Sequence, residues 1–535
     1  MLRLTEIRLP LDHDQAALQE AVLRSLGIPA SELLNLCIRR RGYDARKNDI
    51  QFVYTLDVEV RNEPVLLARL RGSRHIGPAP DETYRYPVRA PRGLRERPVV
   101  IGSGPCGLFA ALSLARMGFR PIVLERGQPV RERTQDVWRF WRQGEFQPES
   151  NVQFGEGGAG TFSDGKLHTG IKDRGHHMRQ ILKDLVEFGA PPEILYISKP
   201  HVGTLRLVKV VENLRRTVES LGGELRFGSQ VTDLDVDSGQ VHGVTLASGE
   251  RIAATHVILA VGHSARDTFE MLYARGAPIE AKPFSIGFRI EHPQALIDRA
   301  RLGHHAGNPL LGAADYKLVH HGSNGRSVYS FCMCPGGQVV AANSEVGQVV
   351  TNGMSHYSRA DRNANAGIVV GITPADFGSD HPLAGISLQR ELEARAFELG
   401  GGNYNAPAQR VEDFLASRPS TGPGAVQPSY TPGVTWTDLS GALPGYAIDA
   451  IREALPAFDR ELKGFALPDA VLTGVETRTS SPIRIGRDGG SLESTTLRGL
   501  YPAGEGAGHA GGIMSAAVDG MKVAESVAQH LLIHP

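Results

Sequence analysis

Residues 100–127 read VIGSGPCGLFAALSLARMGFRPIVLERG, and this stretch limits the possible folds more than any other part of the chain. An apolar strand, a glycine turn, a helix and a second strand ending on a carboxylate are the opening of a nucleotide-binding βαβ unit. Each glycine has its own task. Gly102 makes the tight turn, Gly104 lets backbone approach a pyrophosphate, and Gly107 packs helix against strand. Ser103, Pro105, Cys106 and Arg126 share these turns and are assigned to the cofactor with them. The free N–H groups and dipole of the helix N-terminus favour the anion. Glu125 lies 18 residues beyond Gly107, where a carboxylate can accept the hydroxyls of an adenosine ribose.

NAD and FAD share this fingerprint, so the choice falls to the remaining glycine clusters among the 62 glycines. NVQFGEGGAGTFSDGKLHTG (151–170) supplies a second loop, with Gly157, Gly158, Ala159, Gly160 and Ser163 as contacts. HVILAVGHSA (256–265) is a strand ending in a turn at Val261 and Gly262, and Val231 begins a strand that returns toward the same site. YPAGEGAGHAGG (501–512) places Gly504 and Glu505 at a ribityl chain. Gly511, Gly512 and Ile513 open the last helix, with their N–H groups aimed at the flavin. Several bare-backbone stations along one elongated ligand predict non-covalent FAD.

The predicted fold class is α/β: a Rossmann-like FAD-binding domain with a mostly β substrate or cap insertion and a small α+β N-terminal domain. The boundaries read as 1–76 for the N-terminal domain, 77–97 for a Pro- and Arg-rich linker, 98–279 and 471–535 for the two parts of the FAD-binding domain, and 280–470 for the insertion. In the first unit LRLTEIRLPL reads as a strand, DQAALQEAVLRSLG as an amphipathic helix, and IQFVYTLDVEV alternates as a half-buried strand. RRRGYDARK (39–47) reads as a solvated turn, with phosphate or partner binding as the other reading.

The 58 Lys and Arg residues balance 58 Asp and Glu, which argues against nucleic-acid binding. Absent signal-peptide and transmembrane patterns and only four cysteines make a soluble cytoplasmic protein the expectation.

The ordered segments NVQFGEGGAGTFSDGKL, KPHVGT (199–204), KPFSIGFRIEHP (282–293), VYSFCMCPGG (328–337), TNGMS (351–355), GVETRTSSPIRI (474–485) and AGEGAGHAGGIMSAAVDG (503–520) carry a family resemblance. Over nearly the whole chain they resemble the little-characterised FAD-dependent dehydrogenases, or NAD(P)/FAD-dependent oxidoreductases, of bacteria and chloroplasts. More distantly the layout is similar to the glutathione-reductase-like flavoproteins. The resemblance implies an FAD-dependent oxidoreductase acting on a small molecule. Glu505 stands where many of those proteins have aspartate, and its longer arm still reaches a ribityl hydroxyl.

No second nucleotide-binding unit is legible, so an NAD(P)H donor would dock transiently or the substrate itself would reduce the flavin. His509, Arg289 and Lys166 are the catalytic candidates, with Asn352, Arg478, Ser480, Ser481 and Arg484 as further ring or substrate contacts. Cys332 and Cys334, in a CxC expected to face one side of a strand, read either as small buried hydrophobes or as a thiol pair. No metal site is expected. The alternative function is a binding or assembly factor for RNA or protein, using FAD structurally and docking through Arg39–Lys47.

Overall fold

The computed structural model describes residues 1–46 and 49–533. The chain begins with β1 (Leu2–Pro10), α1 (Gln15–Leu26), β2 (Leu33–Asp44), β3 (Gln51–Val60) and β4 (Ile76–Pro78), whose strands form a sheet ordered β2-β3-β1-β4. Helix α1 starts where the Asp14 carboxylate accepts the Ala17 N–H at 2.7 Å, and it stops at Gly27, whose φ of 61° a glycine adopts without strain. It buries Leu18, Val22 and Leu26 on one face, and β3 buries Phe52, Tyr54, Leu56, Val58 and Val60. The basic segment is not a turn through Asp44. Its residues 39–44 extend β2, paired with β3 up to Asp44 opposite Gln51. Arg41 packs over Phe52 and Tyr196, and Arg39 pairs with Asp57 and Glu82. Lys47, the last residue of that segment, lies outside the described residues.

A coil over residues 79–98 leads to β5 (Val99–Ile101), α2 (Pro105–Met117), β6 (Ile122–Leu124), α3 (Val130–Gln143), α4 (Thr204–Ser220), β7 (Glu224–Arg226) and β8 (Val257–Leu259). An antiparallel three-stranded unit over residues 231–253 precedes β8.

The insertion contributes β9 (Phe284–Pro293), β10 (Ser327–Ala341), β11 (Thr351–Ser355), β12 (Asn363–Ile372) and β13 (Val471–Glu476), before β14 (Leu500–Pro502) and α5 (Ile513–Ile533) close the chain. Strands β14-β8-β5-β6-β7 form one parallel sheet, with only apolar residues in its four strands β14, β8, β5 and β6 apart from Pro502 and Tyr501. Helices α2 and α5 cross at backbone contact, because a Cβ on Gly520 would stand 2.1 Å from the Cys106 carbonyl.

The insertion forms an eight-stranded sheet whose middle runs β10-β12-β9-β13, antiparallel throughout. It extends to Glu476, past residue 470. The segment is less purely β than its sequence reads, since helices Ala384–Leu399 and Gly445–Glu461 pack on it. Their apolar periodicity covers the buried faces of β9, β12 and β13, which have no polar side to give to water.

The loop 151–158, which lacks regular structure, is held from inside. Arg133 on α3 is fully buried and donates to the carbonyls of Asn151 (2.8 Å), Val152 (2.8 Å), Gly155 (3.2 Å), Glu156 (2.7 Å) and Gly158 (3.0 Å). Its guanidinium also lies 4.9 Å from the Phe162 ring centroid. Burial lowers its pKa to about 10, which leaves it charged at neutral pH. Arg133→Leu would strand these carbonyls, so a destabilisation of about 3–5 kcal/mol is expected in urea unfolding. A change below about 1 kcal/mol would show that the loop holds itself.

Candidate functional site

One cavity runs along the carboxyl ends of β5, β6, β8 and β14 and ends against the insertion sheet. This is where open parallel sheets bind ligands. Its first wall is the turn 102–106. Gly102 has φ of 98°, and a Cβ there would stand 2.4 Å from the Ala260 carbonyl. Gly107 is not in the wall but beneath it, where a Cβ would meet the Gly102 carbonyl at 1.9 Å, so only glycine lets the helix sit this close. Helix α2 opens on Pro105, which has no N–H, and carries no side-chain cap, so the Cys106 N–H at the cavity wall has no capping side chain.

The second loop approaches the first through bare backbone. A Cβ on Gly158 would lie 2.9 Å from the Gly104 Cα, and Gly157 donates to the Ser103 carbonyl at 2.9 Å, itself outside the wall. Glu125 joins both loops. Its Oε2 accepts Ser103 N–H at 2.9 Å and Ser103 Oγ at 2.7 Å, and its Oε1 accepts the N–H groups of Gly127 and Gly155, each at 2.9 Å. Beside it Arg126 pairs with Glu149 and Asp267 and lies 4.2 Å over the Phe154 ring. Ala159, Gly160, Ser163, Val231, Val261, Gly262, Gly504, Glu505, Gly512 and Ile513 complete this part of the wall. Burial, opposed by the Gly512 N–H and Lys282, pushes Glu505 up to about 7.

At the insertion end the wall is made by Lys166, His263, Phe331, Cys332, Asn352, Glu476, Arg478 and Thr479. Burial, opposed by Arg289, raises Glu476 to about 7. Arg289 is fully buried and lies behind the wall, so the expected ring contact is not where the structure places it. It pairs with both Glu476 oxygens (2.5 and 3.1 Å), and donates to the Cys332 carbonyl at 2.8 Å and to Asn352 Oδ1 at 3.2 Å. It therefore positions three residues that face the cavity. Lys166 bonds the Met333 carbonyl. Burial works against its charge, but the cysteines and Asp164 keep its pKa above the ordinary value.

Two expectations for the last loop are corrected. His509 turns away from the cavity and its Nε2 meets the Ile485 carbonyl at 2.9 Å. Gly511 is outside the wall and gives its N–H to Ser515 Oγ at 3.0 Å. Gly508, with φ of 80°, lies so tight on Ile483 and Arg484 that the turn carries His509 to their side. The histidine on the cavity is His263, which burial, Arg478 and Arg266 lower to about 3 and so keep neutral. VGHSA contains it directly after the glycine turn, so its place was readable from the same motif. Ser480, Ser481 and Arg484 are not in the wall; Ser480 borders an adjoining cleft. Asp49, His304 and His305 bring ligand atoms within 4.8 Å of one another, away from this cavity.

The residues fit FAD: backbone without side chains at two facing loops, an uncapped helix N-terminus for a pyrophosphate, and acidic groups at each end for hydroxyls.

Residues 195–307 match the family described as FAD dependent oxidoreductase, residues 283–479 the family described as FAD-dependent protein, C-terminal domain-like, and residues 1–59 a domain of unknown function. An uncharacterised protein of Clostridium beijerinckii is 48% identical over 531 residues, covering 98% of each chain. A mutant of the halogenase PltM in complex with FAD is 11% identical, with 82% of this chain and 71% of that chain covered and a TM-score of 0.40. A geranylgeranyl bacteriochlorophyll reductase-like protein of Thermoplasma acidophilum is 13% identical, with 82% and 79% covered and a TM-score of 0.36. Among the described residues no helix is long and apolar enough to cross a membrane.

Two outcomes follow from this geometry. Gly158→Ala forces a side chain at φ of 61° against Gly104 and should lower the flavin-to-protein absorbance ratio of the purified protein severalfold. Gly170→Ala, with nothing within 4 Å, should leave that ratio unchanged. Glu505 titrates near 7 in the folded chain against an ordinary 4.5. The folded state therefore holds the extra proton, and stability falls as pH rises through that window. In FAD-free protein, Glu505→Gln should remove about 1–2 kcal/mol of the loss between pH 5 and 8, read from urea midpoints.

Proposed function

We propose, from the premise that the chain belongs to the family of FAD-dependent oxidoreductases these matches define, that it transfers electrons between non-covalently held FAD and a small-molecule substrate admitted at the insertion end of the cavity. The observation that carries this reading is the single cavity itself. Its glycine-walled half suits a dinucleotide, and its other half gathers Lys166, Cys332, Asn352 and Glu476.

The N–H groups at the start of α2 would hold the pyrophosphate, Glu125 the adenosine ribose, and Glu505 the ribityl chain. Glu125 would exchange part of its present bonding with Ser103 and Gly155 for that contact. FAD supplies two-electron transfer when bound. The chain supplies positioning and protons. Glu476, held on both oxygens by Arg289 and with a pKa about 7, can give or take a proton at neutral pH. Asn352 is oriented by the same guanidinium, and the Lys166 ammonium favours negative charge nearby.

A second cleft, lined by Ser285, Arg326, Tyr329, Asp376 and Ser480, shares Phe331 and Thr479 with the cavity and offers the approach for substrate or a transient NAD(P)H donor. The alternative, a factor that binds RNA or protein through its basic segment, loses support because Arg39 and Arg41 are engaged within the chain.

Denaturing the pure protein and chromatographing the supernatant should release FAD; FMN, NAD or no nucleotide would sink the proposal. Anaerobic mixing with NADH, NADPH and metabolite pools, followed by flavin absorbance, then finds the partner. With that partner, Glu476→Gln should slow flavin reduction about 100-fold or more and erase the limb near pH 7, while FAD content stays unchanged. An unaltered pH profile would remove Glu476 from proton transfer.

A further inference from the structure

The CMC segment in β10 departs from strand geometry. Register with β12 breaks between Phe331 and Cys334 and again between Cys334 and Gly337, and Cys332 sits at φ of 42°, where non-glycine residues are uncommon. The regular alternation of the strand is therefore interrupted over this segment, and the two thiols lie in contact. Cys332 is half-buried in the cavity wall, while Cys334 is fully buried and outside the wall, its Sγ 3.3 Å from the Cys332 carbonyl. Both cysteines are free. Two cations clamp the backbone between them: Arg289 donates to the Cys332 carbonyl at 2.8 Å, and Lys166 to the Met333 carbonyl. An accessible thiol with a buried thiol two residues on, beside two cations, is the arrangement of an attacking and a resolving cysteine.

We propose that Cys332 and Cys334 form a dithiol–disulfide couple, in which Cys332 attacks a small disulfide admitted to the cavity and Cys334 resolves the product. The neighbouring Cys334 thiol, then Lys166 and Arg289, lower the Cys332 pKa well below the usual thiol value despite burial. Cys334 stays protonated until resolution, its pKa raised by Cys332 and by burial.

In the first step the Cys332 thiolate bonds to one sulfur of the disulfide RSSR as the S–S bond breaks, and RS⁻ leaves and takes a proton. In the second, Cys334 loses its proton and bonds to Cys332 Sγ, breaking the mixed disulfide and releasing a second RS⁻, which is also protonated. One disulfide becomes two thiols, and two cysteine thiols become one disulfide, with one electron pair transferred. The couple is complete within the chain and does not rest on the flavin reading.

The test uses the full chain with whatever flavin it carries, equilibrated with glutathione disulfide and glutathione at graded ratios. Free thiols are then alkylated under denaturing conditions and the peptides mapped by mass. Cys332 and Cys334 should lose alkylation together, two hydrogens lighter and without a glutathione adduct. In Cys334→Ser an adduct on Cys332 should accumulate and persist, and in Cys332→Ser the thiol of Cys334 should stay free. In the unaltered protein, native alkylation of Cys332 should slow less than about fivefold from pH 8.5 to 6.5, where an ordinary thiol of pKa ~8.5 slows about fiftyfold. The proposal is overturned if no internal disulfide forms at any ratio, if the adduct is as persistent with Cys334 as without it, or if Cys332 follows the ordinary pH profile.

Discussion

The loop over residues 151–158 forms part of the cavity wall without a hydrogen-bonded ladder of its own, and its shape comes from the Arg133 guanidinium enclosed within it. A buried charge is tolerable only where its donors are matched, and here backbone carbonyls of the loop do the matching. Glu125 does the complementary work from the other side, accepting N–H groups from both glycine loops. Between these two side chains the loops are brought close enough that Gly104 and Gly158 must both lack a Cβ. The cavity is therefore the gap left when two strapped loops face one another.

The glycine turn after β5 was readable because its requirements are local. A tight turn and a helix laid on a strand need glycine at fixed positions, and the close approach of Gly107 to Gly102 expresses that requirement. The alternation of β3 was readable for the same reason, since its faces follow from a period of two. Arg133 was not. It is one of several arginines in RERTQDVWRFWRQ, and its selection depends on a loop that begins after that helix ends. The basic segment misled similarly. Charge suggested a solvated turn, but partners on β3 and on Glu82 and Tyr196 let Arg39 and Arg41 lie on a strand. His509 shows the same limit on a smaller scale, because a glycine loop announces that the chain turns but not toward which side.

Arg289 joins the insertion to the cavity more subtly than a contact residue would. It rises from β9 into the interior and fixes Glu476 at the end of β13, Asn352 on β11 and the Cys332 carbonyl on β10. Three strands thus present their groups in one fixed relation. Precision at this end of the cavity comes from a sheet, which holds geometry better than a loop, while the opposite end relies on strapped loops.

The parallel sheet has a temporal consequence. Its middle strand, β5, lies at residues 99–101, but its edge strand β14 lies at 500–502, and the helix against α2 follows later still. During translation α2 therefore emerges about 400 residues, and the open edge of β8 about 240 residues, before the segments that cover them. Through that interval an edge of main-chain N–H and carbonyl groups is open to wrong partners, the situation in which nascent chains aggregate or need a chaperone. The long insertion is made within the interval, so its sheet can assemble while the nucleotide-binding half waits for its last strand. Catching that half at the right moment is a burden that falls on the cell's folding machinery.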